Sequence, residues 1–283
     1  MNSTTEIFQG QACWRWQLPQ GDSVLVSAQG AQVLSWQSAG RERLYLSPQS
    51  VFDGHTAIRG GVPICFPQFN QRGALPKHGF ARNMAWQLAA PPEQSTVGQA
   101  TFEFLSKAQT MAMWPFDFCA QLQVNLTPGS LQLSLTVHNT GAQALQFTGA
   151  MHTYLAVQDI AQTRLLGLQG QDEWDSLTDQ HQKSNGVLQF DGEFDRVYQT
   201  PPVQDGPTWL LQDQDQNLEI TQSASWGQSV VWNPGANKCA ALSDMPPAGY
   251  QHMLCVEAAQ VEPPITIAPA SQWQGWQKIS VLP

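Results

Sequence analysis

Apolar residues in this chain recur with a period of two, and no long stretch keeps a clean helical period of 3.6. The runs 23–28, 101–105, 119–126, 131–138, 144–148 and 217–221 alternate apolar with polar side chains, the pattern of a strand with one buried face. Thr127-Pro128-Gly129, Asn139-Thr140-Gly141, Asp191-Gly192 and Asn233-Pro234-Gly235 punctuate these runs where hairpin connections would fall. The pattern predicts an all-β protein, mainly antiparallel. At 283 residues, large packed sheets in a β-sandwich are expected over a small barrel. The length alone permits one large domain or two.

Hydrophobic residues make up 42% of the chain and charged residues only 12%, enough apolar surface for a substantial core. The formal net charge of −9 argues against a nucleic-acid partner, which would need a basic stripe to displace phosphate counterions. The five cysteines, Cys13, Cys65, Cys119, Cys239 and Cys255, are scattered with no metal or redox spacing, and reduced core thiols are expected. The amino-terminal residues from Met1 to Glu6 lack a basic n-region and an apolar h-region. No segment approaches the roughly 20 apolar residues that span a bilayer. A cytoplasmic protein without a membrane partner is the expectation.

The 13 Lys and Arg are unevenly spread: Arg59, Arg72, Lys77 and Arg82 all fall in one segment rich in glycine. Guanidinium forks suit phosphate or carboxylate, and glycine lets backbone approach a ligand closely. A small anionic ligand is one reading of this cluster; surface ion pairs and ordinary turns are the other.

Two polar residues interrupt apolar strand patterns. Alternation places His152 on a face with Thr148, Ala150 and Tyr154, and Glu257 on a face with Met253 and Cys255. A carboxylate in such a run either faces solvent at a strand end or sits in a pocket that tunes its protonation. Residues 172–219 hold half of the 22 acidic residues and read as a solvated insertion; Asp195-Arg196, opposite charges beside aromatics, reads as part of a binding loop. The chain has no Gly-x-Ser-x-Gly, Walker or Gly-x-Gly-x-x-Gly motif, so one Glu, two His and two Arg point to general acid–base work on an anion.

Four blocks resemble the hexose-6-phosphate mutarotases (glucose-6-phosphate 1-epimerases) of the aldose 1-epimerase group. They are Ile58-Arg59-Gly60-Gly61-Val62-Pro63-Ile64-Cys65-Phe66-Pro67, Lys77-His78-Gly79-Phe80-Ala81-Arg82, Met151-His152-Thr153-Tyr154 and Met253-Leu254-Cys255-Val256-Glu257-Ala258. Asp195-Arg196-Val197-Tyr198 and Val230-Val231-Trp232-Asn233-Pro234 add weaker support.

The resemblance implies a galactose-mutarotase-like super-sandwich, a single domain over 1–283, that interconverts anomers of a hexose 6-phosphate without metal or cofactor. It also implies His152 as general acid and Glu257 as general base, with Arg59, Arg82 and Asp195 binding substrate and His78 against the sugar ring. With ordinary pKa values, Glu257 would be ionised and His152 able to hold a proton at neutral pH. Lys77 departs from the uncharged polar residue common at that position, and would add a phosphate contact or alter sugar preference. A monomer is the simplest assembly. A non-catalytic carbohydrate-binding or regulatory β-sandwich, which the 11 Trp would also suit, is the alternative.

Overall fold

The computed structural model describes residues 2–90, 98–201, 203, 206–214 and 216–282. Met1, Asp205 and Asp215, which enter the terminus and acidic-segment readings above, lie outside the described residues.

The strands form three sheets. A five-stranded amino-terminal sheet runs in chain order through Asn2–Phe8, Gln11–Gln17, Ser23–Ser27, Val33–Ser38 and Arg41–Glu42. An eight-stranded sheet has the order Arg164–Leu166, Thr208–Asp213, Gln216–Gln222, Gln272–Leu282, Ser130–Asn139, Phe118–Thr127, Gln99–Leu105 and Gln87–Leu88. The third runs Gln180–Lys183, Asp172–Asp175, Phe194–Gln199, Gln228–Asn233, Met253–Ile267, Leu145–Met151 and Ile64–Cys65, with Tyr154–Ala156 also paired to Met253–Ile267. Ladders between these strands are antiparallel. The all-β expectation holds.

Alternation does what the sequence predicts in the hairpin Phe118–Thr127 and Ser130–Asn139. Register sets Leu126 opposite Leu131, Val124 opposite Leu133 and Leu122 opposite Leu135, and all six are buried in the main core. Each such side chain contributes about 1.5–3 kcal/mol by leaving water. That core also takes Val231, Leu254, Val256 and Ala258 from the third sheet and Leu211, Leu218 and Ile220 from the second, so the two large sheets face each other across it. Four cysteines are buried and Cys119 half-buried, all five with free thiols.

Three expectations need correction. Of the four punctuated turns, only Thr127-Pro128-Gly129 joins the two strands of a hairpin; Asp191-Gly192 lies between strands that are not neighbours in their sheet. Asn139-Thr140-Gly141 carries the chain from the second sheet to the third, and Gly235 opens a short helix, Gly235–Ala240. Turn chemistry reports a change of direction but not which sheet receives the next strand.

The acidic segment is solvated only in part: Asp172, Asp179 and Asp191 are exposed, but the segment belongs to the fold rather than being inserted on it. Asp172–Asp175 and Phe194–Gln199 are strands of the third sheet, where Arg196 bonds buried Glu173 at 3.3 Å and Asp175 at 2.6 Å. Asp195-Arg196 is likewise strand rather than loop, so the two side chains point to opposite faces and make no ion pair with each other. Alternation does hold in the strand before His152: Leu145, Phe147 and Met151 enter the main core, while Thr148, whose hydroxyl accepts a hydrogen bond from the Phe69 N–H at 2.8 Å, shares the opposite face with Ala150. The register irregularity there falls on residues 261–264 of the partner strand.

Candidate functional site

The outer face of the third sheet, turned away from the main core, carries the site. Register builds it in two adjacent rows. One row is Asp195, Trp232, Cys255 and Tyr154, from Asp195↔Trp232, Trp232↔Cys255 and Tyr154↔Cys255. The next is Val197, Val230 and Glu257.

Between Met151↔Ala258 and Tyr154↔Cys255 the same register sets His152 opposite Glu257. Ladder bonding is interrupted there, and the His152 N–H donates instead to the Pro63 carbonyl at 3.0 Å. His152 Nδ1 lies 3.4 Å from Glu257 Oε1; no hydrogen bond reaches Nδ1, and Glu257 Oε2 is also buried without one.

The segment carrying the Gly-rich block folds over this face. Gly61 has φ of +60°, and a Cβ there would overlap the Val33 carbonyl oxygen. Gly61 therefore allows a close approach of backbone to the amino-terminal sheet. The Val62 N–H donates to the Val33 carbonyl at 2.8 Å and fixes the approach. Two residues back, Arg59 donates from Nε and Nη2 to Asp244 Oδ2 at 3.1 and 3.0 Å and from Nη1 to the Tyr154 hydroxyl at 3.1 Å. The buried amide of Gln68 bonds the Asn70 and Leu75 carbonyls and the Leu75 N–H, knitting the loop that ends in Lys77 and His78. His78 Nδ1 accepts the Asn70 N–H at 3.2 Å, which leaves the ring proton on Nε2.

These elements enclose a cavity of about 830 Å³ including its mouth, and all seven sequence-predicted residues line it: Arg59, Lys77, His78, Arg82, His152, Asp195 and Glu257. Tyr154, Trp232, Lys238 and Asp244 line it too and were missing from that set. Tyr154 and Trp232 sit inside the family-like blocks and could have been found as the strand neighbours of Cys255. Lys238 and Asp244 carry no local signal; Asp244 lies 185 residues from the arginine it holds.

The electrostatics differ from ordinary values. Burial pushes the Glu257 carboxyl well above its usual range, with the Asp195 charge adding to the rise and Arg82 and Lys77 opposing it. Burial, then Arg82 and Arg59, holds His152 well below 6.5. Both directions reverse the ionised-Glu, protonated-His expectation: the buried pair favours one proton on Glu257 and a neutral imidazole. His78 is also held far down, by burial first and then by His152 and Arg82. Burial opposes the charge on Arg59, but Tyr154 and Asp244 outweigh it and raise the group. Lys77 is lowered by partial burial and by the like charges of Lys238, Arg59 and Arg82. Burial raises Asp195.

His152, Cys255 and Glu257 bring one nitrogen, one sulfur and one oxygen donor within 4.8 Å of one another. Among the described residues, no helix is long and apolar enough to cross a membrane.

Comparison with known proteins identifies relatives of the whole chain. A protein of Cenchrus ciliaris provisionally named glucose-6-phosphate 1-epimerase is 36% identical over 265 residues, covering 90% of this chain and 80% of its own. One of the same provisional name from Escherichia coli is 38% identical over 240 residues, covering 82% and 77%. A crystal structure of a protein provisionally described as a mutarotase from Salmonella typhimurium superposes with a TM-score of 0.87 at 29% identity, over 99% of this chain and 93% of that one. A galactose mutarotase related enzyme from Lactobacillus acidophilus shares the fold at a TM-score of 0.77 and 12% identity, over 96% and 97% of the two chains. The aldose 1-epimerase family pattern matches residues 13–280. The chain belongs to the aldose 1-epimerase family.

Proposed function

We propose that this protein interconverts the α and β anomers of a hexose 6-phosphate, with His152 as general acid and Glu257 as general base. The carrying observation is the cross-strand His152–Glu257 pair, 3.4 Å apart on the floor of a cavity rimmed by Arg82 and Lys77.

Ring opening removes the proton from the C1 hydroxyl and delivers one to the ring oxygen. Glu257 carboxylate and His152 imidazolium perform these two transfers and become carboxylic acid and neutral imidazole. Rotation about C1–C2 follows, and reclosure runs the same transfers backwards on the other face of the carbonyl. The cyclic sugar is thus paired with the charged form of the dyad and the open aldehyde with the neutral form. Because burial favours the neutral form, the site stabilises the protonation state that belongs to the ring-opened intermediate. A raised base and a lowered acid also make each transfer more favourable.

His78 presents Nε2–H to a sugar hydroxyl, and Asp195 accepts one. A phosphate at the rim meets Arg82 and Lys77, while Arg59, occupied by Asp244 and Tyr154, orients the pocket wall. These steps require proton transfer alone. The reading takes the chain as one domain over 1–283, a monomer acting in the cytoplasm on a free sugar phosphate. Core side chains shared between the two large sheets support the single domain.

NMR exchange spectroscopy of the anomeric signals of glucose 6-phosphate, with glucose in parallel, tests the function. Acceleration of the phosphate ester well beyond glucose is expected. Equal acceleration of both sugars would move the protein to neutral aldoses, and no acceleration of either would overturn the reading.

A further inference from the structure

Charge accounting around the rim separates the cations into two sorts. Arg59 is committed, with three of its N–H groups bonded to Asp244 and Tyr154. Lys77 is depressed by burial and then by three like charges, Lys238 the foremost of them. Lys238 lines the same cavity, yet its ammonium is turned to Glu193 Oε1 at 2.5 Å, in a contact whose side chains are 41% and 32% exposed. Glu193 does not line the cavity.

The juxtaposition is built by the backbone. Gly235 has φ of +61°, and a Cβ there would come within 2.5 Å of the Glu193 nitrogen, so the helix bearing Lys238 rests directly on the Gly192-Glu193 turn.

We infer that Lys238 is a phosphate ligand of the site and that Glu193 is its placeholder anion, displaced when the sugar phosphate binds. The inference rests on the sugar-phosphate reading and extends it. An exposed ion pair holds little net energy, so the exchange of one carboxylate for a dianionic phosphate is favourable. The incoming dianion also relieves the repulsion among Lys77, Arg82 and Lys238. The exchange selects for phosphorylated sugars, since a neutral sugar offers Lys238 nothing to replace Glu193.

The experiment compares Lys238→Met and Glu193→Gln in the full chain. Selectivity is read as the ratio of kcat/KM for glucose 6-phosphate to that for glucose. Lys238→Met is expected to lower this ratio by about tenfold or more, the scale of a charge-assisted hydrogen bond. Glu193→Gln is expected to raise it a few-fold, because the competing anion is gone. Calorimetric titration with inorganic phosphate reads the subsite without catalysis, with weaker binding in Lys238→Met and tighter in Glu193→Gln. An unmoved ratio, or two variants shifting it in the same direction, overturns the inference, as does phosphate binding indifferent to both. If the unaltered protein binds phosphate with these dependences but accelerates neither sugar, the function fails and the subsite stands.

Discussion

The imidazole of His152 and the ring of Tyr154 stack with planes 9° apart and centroids 4.8 Å apart. Tyr154 is itself held by Arg59 through its hydroxyl, and Arg59 by Asp244, so His152 is oriented by a chain of contacts ending on a loop 92 residues downstream. Trp232 closes the third side, its ring 6.0 Å from the imidazole at 81°. A flat ring fixed on one face and at one edge retains a single useful direction for its proton.

Removing that support has a graded consequence. Tyr154→Phe keeps the stack and loses only the Arg59 contact, and a loss of a few-fold in kcat is expected. Tyr154→Ala removes the stack, and kcat should fall by roughly 10- to 100-fold, the scale of a misplaced catalytic group. Steady-state anomer exchange separates kcat from KM; equal losses in the two variants would mean that stacking does not orient His152.

Glu257→Gln removes the base and keeps the shape of the side chain. Loss of exchange by about 10²- to 10⁴-fold is expected, with sugar-phosphate binding by calorimetry close to that of the unaltered protein. Unchanged anomerisation in this variant would sink the mechanism.

Much of this is legible in the sequence because β structure writes its geometry in steps of two. The hairpin around Thr127-Pro128-Gly129 and the facing of Cys255 and Glu257 follow from alternation alone. The seven residues brought to one cavity come partly from alternation and partly from family resemblance. Long-range partnerships are what a sequence hides. Asp244 finds Arg59 only after the sheets have assembled, and Glu173 and Asp175 stop looking solvated only once Arg196 is known to lie between them. The protonation of His152 and Glu257 is hidden for the same reason: ordinary pKa values describe groups in water, and burial of both residues is a property of the assembled sheet.

Buried neutral histidines make acid a selective destabiliser. His78, held below the usual 6.5, stays neutral in the folded chain while the unfolded chain takes up a proton as pH falls. Its contribution to stability is therefore full above about pH 6.5 and lost below it, and His152 behaves alike. Glu257 and Asp195 have the opposite sign. Their folded values are raised, so their contribution is full below the usual 4.5 and 3.8 and lost as pH rises towards the folded values. The net curve mixes both, and His78→Gln isolates one group. Between about pH 6 and pH 5 the slope of unfolding free energy against pH should flatten in that variant by up to ~1.4 kcal/mol per pH unit. Parallel curves for variant and unaltered protein from denaturant titrations would show that His78 does not stay neutral.

Gly61 ties the fold to the site, because the approach it permits is the one that delivers Arg59 to Tyr154. An alanine there must place its Cβ against the Val33 carbonyl oxygen while holding φ near +60°, and neither demand is met without moving the segment. Destabilisation of about 1–3 kcal/mol is expected from the backbone conformation alone, more from the overlap. The Val62 N–H bond to Val33, 2.8 Å long, is the first contact to be lost as the segment shifts. Arg59 would then leave Asp244 and Tyr154, so Gly61→Ala should lower the melting temperature and depress kcat together. Gly129→Ala serves as the comparison: it also has positive φ, but its Cβ would meet nothing within 4 Å and its turn lies far from the cavity. A loss of stability with undiminished activity in Gly129→Ala, against loss of both in Gly61→Ala, is the expected outcome; matching behaviour of the two would mean that close approach at Gly61 does not position Arg59.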